Sequence, residues 1–353
     1  MSGFGLKIIN PHDGTSFIFN EKTAPASLVW TDYVSKNTPG IRNSPTDWRY
    51  HEWQCQTNIP AGYQTHVYPA DITGFHQERS GDGFRLGGFY ERVQFSQNGE
   101  NVIVDGLSLD GFFGEWVDKT ELIKIIAYPL ISGGKAGLKI GNNSHFNNSV
   151  PPAGFGYVSH KARVYIQGQF NPASLDARLN YGNCLMFFYN EDPACMLVHR
   201  EGAYVSCNRH DGGDRAGWYR VVIFSDIGIK ERLEGGGYGL RFRNRDGVIT
   251  FNSGVGVLTQ PVSLDVSNRK LGDIIPTPGI KYPMLVPVWI GSHLWMEGRA
   301  AYSRDLSLTC NGVGALIIGS GKRAFWRASH WGTTDYTTKQ PILILDAADY
   351  FNF

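Results

Sequence analysis

The densest group of polar side chains that could do chemistry lies in a single stretch of the chain, Asn208-Arg209-His210-Asp211-Gly212-Gly213-Asp214-Arg215. Its two carboxylates and its histidine could together gather a cation or a sugar. Calcium loops place several oxygen ligands at defined spacings, and this stretch lacks the established spacing. We therefore interpret it as a solvated turn and predict no metal site.

Four acidic residues that lie close together in the sequence raise the question of glycoside hydrolysis: Asp105, Asp110, Glu115 and Asp118. That reaction needs two carboxyl groups several ångströms apart, and proximity in the sequence does not set such a separation. A cell-wall or polysaccharide hydrolase is the one enzyme class kept as an alternative. We predict that the protein is not an enzyme, and we assign no catalytic residue.

Two glycine-rich segments resemble nucleotide-binding loops without fitting them. Gly319-Ser320-Gly321-Lys322 is flanked by Leu316 and Arg323, which do not match the phosphate-loop pattern. Gly235-Gly236-Gly237-Tyr238-Gly239 precedes a predicted hairpin, so no helix N-terminus would meet a pyrophosphate. We interpret the second segment as a linker and predict no cofactor.

Aromatic side chains are the remaining candidates for contacts with a ligand. Aromatic faces can stack on the apolar surface of a sugar, and they also fill cores and protein interfaces. The sequence favours packing over sugar binding, but both interpretations stay open. The candidate ligand or interface residues are Trp48, Trp53, Trp289, Trp295 and Trp326.

The elements that must position these residues include an internal repeat of the form Gly-Leu-basic-apolar-x-Asn. It occurs at Gly5–Asn10, Gly137–Asn142 and Gly239–Asn244. In the first and third copies, Asp13-Gly14 and Asp246-Gly247 follow, then an apolar run. Asp-Gly supplies the positive φ angles of a tight turn, so each of these copies predicts a β-hairpin. The second copy has Asn142-Asn143-Ser144 at the turn, which weakens the prediction there.

Short apolar or alternating runs bounded by turn residues predict strands through the rest of the chain. A further hairpin is predicted at Asn98-Gly99. Residues 118–128 fit a capped helix or a strand, and Pro283 and Pro287 around 284–286 suggest an edge strand. The clearest strands are 163–166, 184–189, 219–224, 315–318 and 341–345.

The predicted fold class is therefore all-β, with tandem β-sandwich-like modules, hairpins and little helix. Glycine-rich connections at 132–136 and 234–237 are natural boundaries between domains. They divide the chain into an N-terminal module (1–131), a middle module (132–234) and a C-terminal module (235–353). Each module has the usual size of a β-sandwich domain.

The repeat also carries a resemblance to a known family. Met1–Asn10, and still more Gly237–Ser253, resemble the opening of tail-tip and tail-fibre proteins of long-tailed bacteriophages and prophages. The resemblance covers roughly the first 30 residues of two modules. It implies a virion protein that is made in the bacterial cytoplasm and assembles with other tail proteins, and it implies no catalytic residue. It leaves open whether the protein contacts the host or only holds a fibre.

Composition narrows the classes of function further. The net charge is +1 and charged residues make up 18% of the chain, so no strong field is available to attract nucleic acid. The five cysteines are an odd number without a C-x-x-C pair, which favours buried, reduced thiols. The sequence shows neither a signal peptide nor a long apolar span. We expect a homo-oligomer, with a trimer favoured, that is located in the phage tail. A host-surface receptor or glycan-binding module is the alternative.

Overall fold

A computed structural model of the chain describes strands throughout the first 129 residues and most of the chain from residue 156 onward. Before residue 130 the side chains are described only at 66–68 and 124–126. The described backbone ranges are 6–9, 16–19, 27–34, 50–58, 63–69, 73–80, 83–91, 93–98, 101–109, 121–129, 156–200, 202–225, 227–234, 241–243, 249–252, 254–258, 261–298, 300–312, 314–326 and 333–353.

The described residues of the first part of the chain form ten strands, all in antiparallel pairings. They are β1 (Leu6–Ile9), β2 (Ser16–Phe19), β3 (Ser27–Val34), β4 (Tyr50–Asn58), β5 (Tyr63–Pro69), β6 (Thr73–Ser80), β7 (Gly83–Glu91), β8 (Val93–Asn98), β9 (Asn101–Leu109) and β10 (Glu121–Pro129). They form two pairs, β1-β2 and β6-β7, and two three-stranded sheets, β3-β10-β5 and β4-β9-β8.

From residue 156 onward, the part of the chain that the structure describes has fifteen strands and one six-residue α-helix, α1 (Ile229–Glu234). Short 3₁₀ turns lie at Pro172–Ser174 and Ala347–Asp349. The strands are β11 (Val158–Ile166), β12 (Leu185–Asn190), β13 (Cys195–Arg200), β14 (Ala203–Asn208), β15 (Gly217–Phe224), β16 (Arg241–Arg243), β17 (Ile249–Asn252), β18 (Val262–Leu264), β19 (Ile274–Pro276), β20 (Pro283–Leu285), β21 (Gly291–Glu297), β22 (Ala300–Cys310), β23 (Ala315–Trp326), β24 (Thr334–Thr337) and β25 (Ile342–Asp346). The predicted all-β class is confirmed.

Two larger sheets organise this second part. A six-stranded sheet has the order β11-β15-β12-β20-β25-β18, and a five-stranded sheet has the order β19-β23-β22-β21-β24. Hairpins β13-β14 and β16-β17 complete the pairings. The six-stranded sheet takes strands from both sides of residue 235, so the predicted middle and C-terminal modules share one sheet. The three-module division did not anticipate this sharing, and the division itself stays a prediction.

The apolar run of β25 shows why this sequence forms an interior strand. Ile342 and Ile344 pack in one core cluster with Leu306 and Leu308 of the five-stranded sheet. Leu343 and Leu345 pack in the other cluster, which contains Tyr68 of the first part. A strand that is buried on both faces needs apolar residues at successive positions rather than at alternate ones. The six-stranded sheet is therefore the middle layer at this end of the molecule.

Both predicted hairpins of the repeat are confirmed where they are described. Strands β1 and β2 pair from Leu6↔Phe19 to Ile9↔Ser16, and β16 pairs with β17 in the third copy. The Asp-Gly turns of these copies and the whole second copy lie outside the described residues. The hairpin at Asn98-Gly99 is also confirmed, because Asn98 pairs with Asn101.

The pairing of strands decides two further predictions. Of the helix and the strand that both fitted 118–128, the strand forms, over residues 121–129, as β10, which is bonded to β3 on one side and to β5 on the other. The strand after Pro283 is not an edge strand, because β20 lies between β12 and β25. Proline is tolerated there because it is the first residue of β20, and β12 pairs with β20 only at Phe188↔Leu285. The five clearest predicted strands all lie in or overlap observed strands.

Candidate functional site

The most prominent surface feature in the described part of the chain is a row of exposed aromatic and charged side chains on the six-stranded sheet. Tyr165 is 56% exposed, Trp218 is 41% exposed and Phe353 is 50% exposed. These are three of the five large apolar side chains found exposed among the described residues. We call the row the arginine–aromatic strip, and it consists of Arg163, Tyr165, Glu191, Trp218, Arg220, Lys281, Tyr282 and Phe353.

Strand register builds the first half of the strip. Strand β11 pairs with β15, so that Tyr165 lies opposite Trp218 and Arg163 lies opposite Arg220. Because side chains two residues apart share a face of a strand, all four project from the same face of the sheet. The Tyr165 and Trp218 rings are 5.2 Å apart between centroids, and the Arg163 guanidinium lies 4.0 Å from the centre of the Trp218 ring.

Glu191, which follows β12, joins the two arginines. Arg163 donates from Nε to Oε1 at 3.0 Å and from Nη2 to Oε2 at 2.7 Å, and Arg220 donates from Nε to Oε1 at 2.9 Å. Hydrogen bonding to Arg163 is the largest influence that lowers the pKa of Glu191, with Arg220 adding to it. The carboxylate therefore stays charged and holds both guanidinium groups in place.

The other half of the strip comes from residues far along the chain. The Arg220 guanidinium lies 4.2 Å from the centre of the Phe353 ring, and Arg220 Nη1 donates to the Asn352 carbonyl at 3.0 Å. Phe353 stacks on Tyr282 with 3.7 Å between ring centroids. Lys281 extends the row, because its ammonium lies 5.0 Å from the Tyr282 ring centre. Cations and aromatic rings thus alternate along the surface.

A second group of polar side chains is buried where β5 and β10 pack against the six-stranded sheet. Tyr68 of β5 meets Phe187 of β12 edge to face at 5.8 Å. On β10, opposite Tyr68, Lys124 is only 4% exposed, and its ammonium donates to the Cys184 carbonyl. Burial lowers the pKa of Lys124 to about 8, with the Cys184 thiol opposing the shift. The protein thus holds a lysine away from water at this junction.

Two histidines near this junction are also held in their neutral form. Burial lowers the pKa of His66 to about 4. Burial, and to a smaller extent the charge of Lys124, lowers the pKa of His199 to about 4. Protonation of either imidazole is therefore unfavourable in the folded state.

Of the tryptophans that the sequence singled out, Trp289 and Trp295 are the two whose side chains the structure describes. Trp48 lies outside the described residues, and Trp53 in β4 and Trp326 in β23 are placed by their strands without described side chains. Trp289 packs on the small apolar cluster of Met196, Val198 and Cys207.

Trp295 is described in detail and favours the packing interpretation. Its ring stacks near-parallel to His293 and to Tyr302, at 5.2 and 5.5 Å between centroids. The Arg304 guanidinium lies 5.1 Å from its centre, and Trp295 Nε1 donates to Glu297 at 3.0 Å. The half-buried indole of Trp295 is thus packed among neighbouring protein groups, whereas Trp218 is exposed.

The polar stretch after β14 forms an exposed turn that is anchored to the five-stranded sheet. Asp211 Oδ1 accepts from the Gly213 backbone N–H at 2.9 Å. The His210 carbonyl accepts from Ser320 Oγ at 2.6 Å and from Arg304 Nη1 at 2.8 Å. Among the described residues, no three His, Cys, Asp or Glu side chains are arranged to hold a metal ion. The polar atoms of this turn thus serve its attachment to the sheet.

The glycines that resemble a phosphate loop have a packing role inside β23. A Cβ at Gly319 would come within 2.7 Å of Met196 Sδ, and one at Gly321 within 2.3 Å of the Trp289 ring. The register of β23 on β22 shifts between Arg304 and Leu306, next to this point. Glycine is needed here because other groups pass close to the strand.

Sequence reasoning missed the strip, although a signal was present. An arginine and an aromatic residue stand two positions apart in Arg163-Val164-Tyr165 and again in Trp218-Tyr219-Arg220. In both segments the residue between them faces the core. That alternation indicates a strand whose outer face is both charged and aromatic. The contributions of Glu191 and Phe353 have no such signal, because only the fold brings them to β11 and β15.

Comparisons of the chain with protein-family models, with curated proteins and with solved structures gave no match. In the part of the chain that the structure describes, no helix has the length and apolar character needed to cross a membrane.

Proposed function

We propose that this chain is a structural protein of a bacteriophage tail, in the tail tip or tail fibre, and that it acts by assembly and binding rather than by catalysis. The observation that carries the proposal is the repeated hairpin. Two distant copies of one motif, Gly5–Asn10 and Gly239–Asn244, each supply the first strand of an antiparallel hairpin, which is regular in the first copy and has a register shift between Phe242 and Arg243 in the other. The residue pattern of these copies resembles that of phage tail proteins, and the all-β architecture is compatible with such a role.

The proposed protein associates with itself and with other tail proteins. Oligomers of identical chains usually close with rotational symmetry, and axial fibres suit a threefold axis. The 39.2 kDa chain has few charged residues, and it exposes aromatic side chains on its surface. Both properties suit contacts with other protein chains.

The direct test is to locate the protein in phage particles. Antibodies raised against the purified chain should label one end of the tail in electron micrographs of particles from the strain that carries the gene. Particles that lack the chain, by labelling and by mass spectrometry, would refute the proposal. Light scattering should give three times the 39.2 kDa mass for the favoured trimer. A stable monomer would exclude the trimer and would direct the search to a tail partner.

Binding to a host-surface glycan is a second candidate function within the same setting. The arginine–aromatic strip favours it, because exposed rings and guanidinium groups lie side by side on one sheet face. Inhibition of phage adsorption by the purified chain would support this role, and unchanged adsorption at saturating protein would contradict it.

A further inference from the structure

We infer that the arginine–aromatic strip binds an acidic polysaccharide, with its carboxylates on Arg163, Arg220 and Lys281 and its sugar rings on Trp218 and Tyr165. The inference rests on the second candidate function above and specifies its ligand class and its site.

The first argument is that the strip is already ordered. Glu191 holds both guanidinium groups through charged hydrogen bonds. The Arg163 guanidinium also packs on the Trp218 ring, 4.0 Å from its centre. Binding to flexible arginines would cost conformational entropy for each side chain that the ligand immobilises. Because the protein has already ordered these side chains, a ligand meets a surface of fixed shape.

The second argument is the charge of the strip. Arg163, Arg220 and Lys281 are three cations, and they outnumber two carboxylates, Glu191 in the row and Asp346, which accepts from the backbone N–H groups of Lys281 and Tyr282. The whole chain carries only +1, so the positive charge is a local property of this surface. The bonds to Glu191 and to the Asn352 carbonyl leave Arg163 Nη1 and Arg220 Nη2 to donate to a ligand. Guanidinium groups match the geometry of carboxylates, so an anionic ligand is favoured.

The third argument is the shape of the surface. The residues of the strip lie on or next to β11, β15, β12 and β20, so the row crosses the sheet over a distance of about 15 Å, from three strand spacings of about 4.8 Å. A stable protein partner typically covers about 800 Å² with a continuous apolar centre. A narrow row in which rings and cations alternate instead fits a linear polymer whose sugars carry charges at regular intervals.

The test measures binding of the purified full-length chain to oligogalacturonate and to polysialic acid by isothermal titration calorimetry. The methyl ester of oligogalacturonate is the matched ligand, because it keeps the sugar chain and removes the charge. We expect at least one of the two acidic ligands to bind, and methyl esterification or a rise in salt to weaken binding roughly tenfold or more.

Variants then locate the site. Trp218→Ala and Arg163→Gln should each weaken binding roughly tenfold, a loss of about 1.4 kcal/mol. Arg178→Gln is the matched control, because Arg178 is also an exposed arginine in an ion pair but lies outside the strip. The affinity of Arg178→Gln should stay within about twofold of the wild-type affinity. Loss of the exposed ion pair with Asp176 changes the fold little, because surface ion pairs contribute little to stability. Tyr165→Ala gives a second aromatic test at the most exposed ring, and unchanged thermal melting shows that each variant is folded.

Four outcomes would overturn the inference. They are no binding of either acidic ligand, equal binding of the methyl ester, equal losses in Arg163→Gln and Arg178→Gln, or loss of oligomer mass in Trp218→Ala. The last would identify the strip as a contact between copies of the chain. None of these results depends on where the protein lies in a particle, so the inference can fail while the tail assignment stands.

Discussion

Replacement of Lys124 by methionine tests the buried junction between β10 and the six-stranded sheet. The folded protein holds the pKa of this lysine at about 8, below the value of 10.5 that is ordinary for lysine, because burial disfavours the ammonium. This lowering of the pKa corresponds to about 3 kcal/mol that the charged side chain costs the folded state at neutral pH. Methionine has a similar length and no charge, and the Cys184 carbonyl loses its donor at a cost of about 1–3 kcal/mol. We therefore expect Lys124→Met to leave stability near neutral pH unchanged or raised by up to about 2 kcal/mol.

The pH dependence gives the sharper result. A basic group whose folded pKa is lowered weakens the folded state while it is protonated, and stability returns as pH rises from about 8 towards 10.5. Between pH 7 and pH 9 the wild-type protein should gain about 1 kcal/mol that Lys124→Met does not gain. Urea unfolding at the two pH values measures this difference, because each protein is compared with itself at the other pH.

Lys270→Met is the matched control, since Lys270 is exposed in the loop before β19. Its difference from the wild type should be the same at pH 7 and pH 9. If Lys124→Met also differs from the wild type by a constant amount, the ammonium is not held in an apolar environment, and the reasoning about this junction is wrong.

Three other predictions follow from the described side chains. The free energy of unfolding should fall as the pH falls from 6.5 to about 4, because burial opposes protonation of His66 and His199 in the folded state. His199→Gln should reduce this loss by about 2 kcal/mol at pH 5, as measured by urea unfolding. Gly321→Ala should lower the free energy of unfolding by about 1–3 kcal/mol through its clash with the Trp289 ring, and Trp289→Leu in the same chain should recover part of it; equal losses in the single and double variants would contradict the contact. The four described cysteines are buried and free, so a thiol reagent should label their peptides only after unfolding, and rapid labelling of the native protein, read by mass spectrometry, would refute their burial.

The sequence by itself determined the fold class and about half of the described strands. Residues 342–345 read as a strand because four apolar residues stand between a proline and an aspartate, and the same pattern demands burial on both faces. The hairpins at Gly5–Asn10 and Gly239–Asn244 were predictable from their Asp-Gly turns and flanking apolar residues. Local conformational preference decides such features, so a short window of sequence is sufficient.

Only the tertiary structure decided features that depend on which strands lie side by side. Residues 121–129 fit a helix or a strand until pairing with β3 and β5 satisfied their backbone hydrogen bonds as β10. Pro283 suggested an edge, but the sequence has no means of showing that β12 meets β20 at a single position beyond the proline. The arginine–aromatic strip joins Arg163, Glu191 and Phe353, which are far apart in the chain. Side-chain contacts over such separations follow from sheet order, and sheet order follows from burial of the whole core rather than from any local pattern.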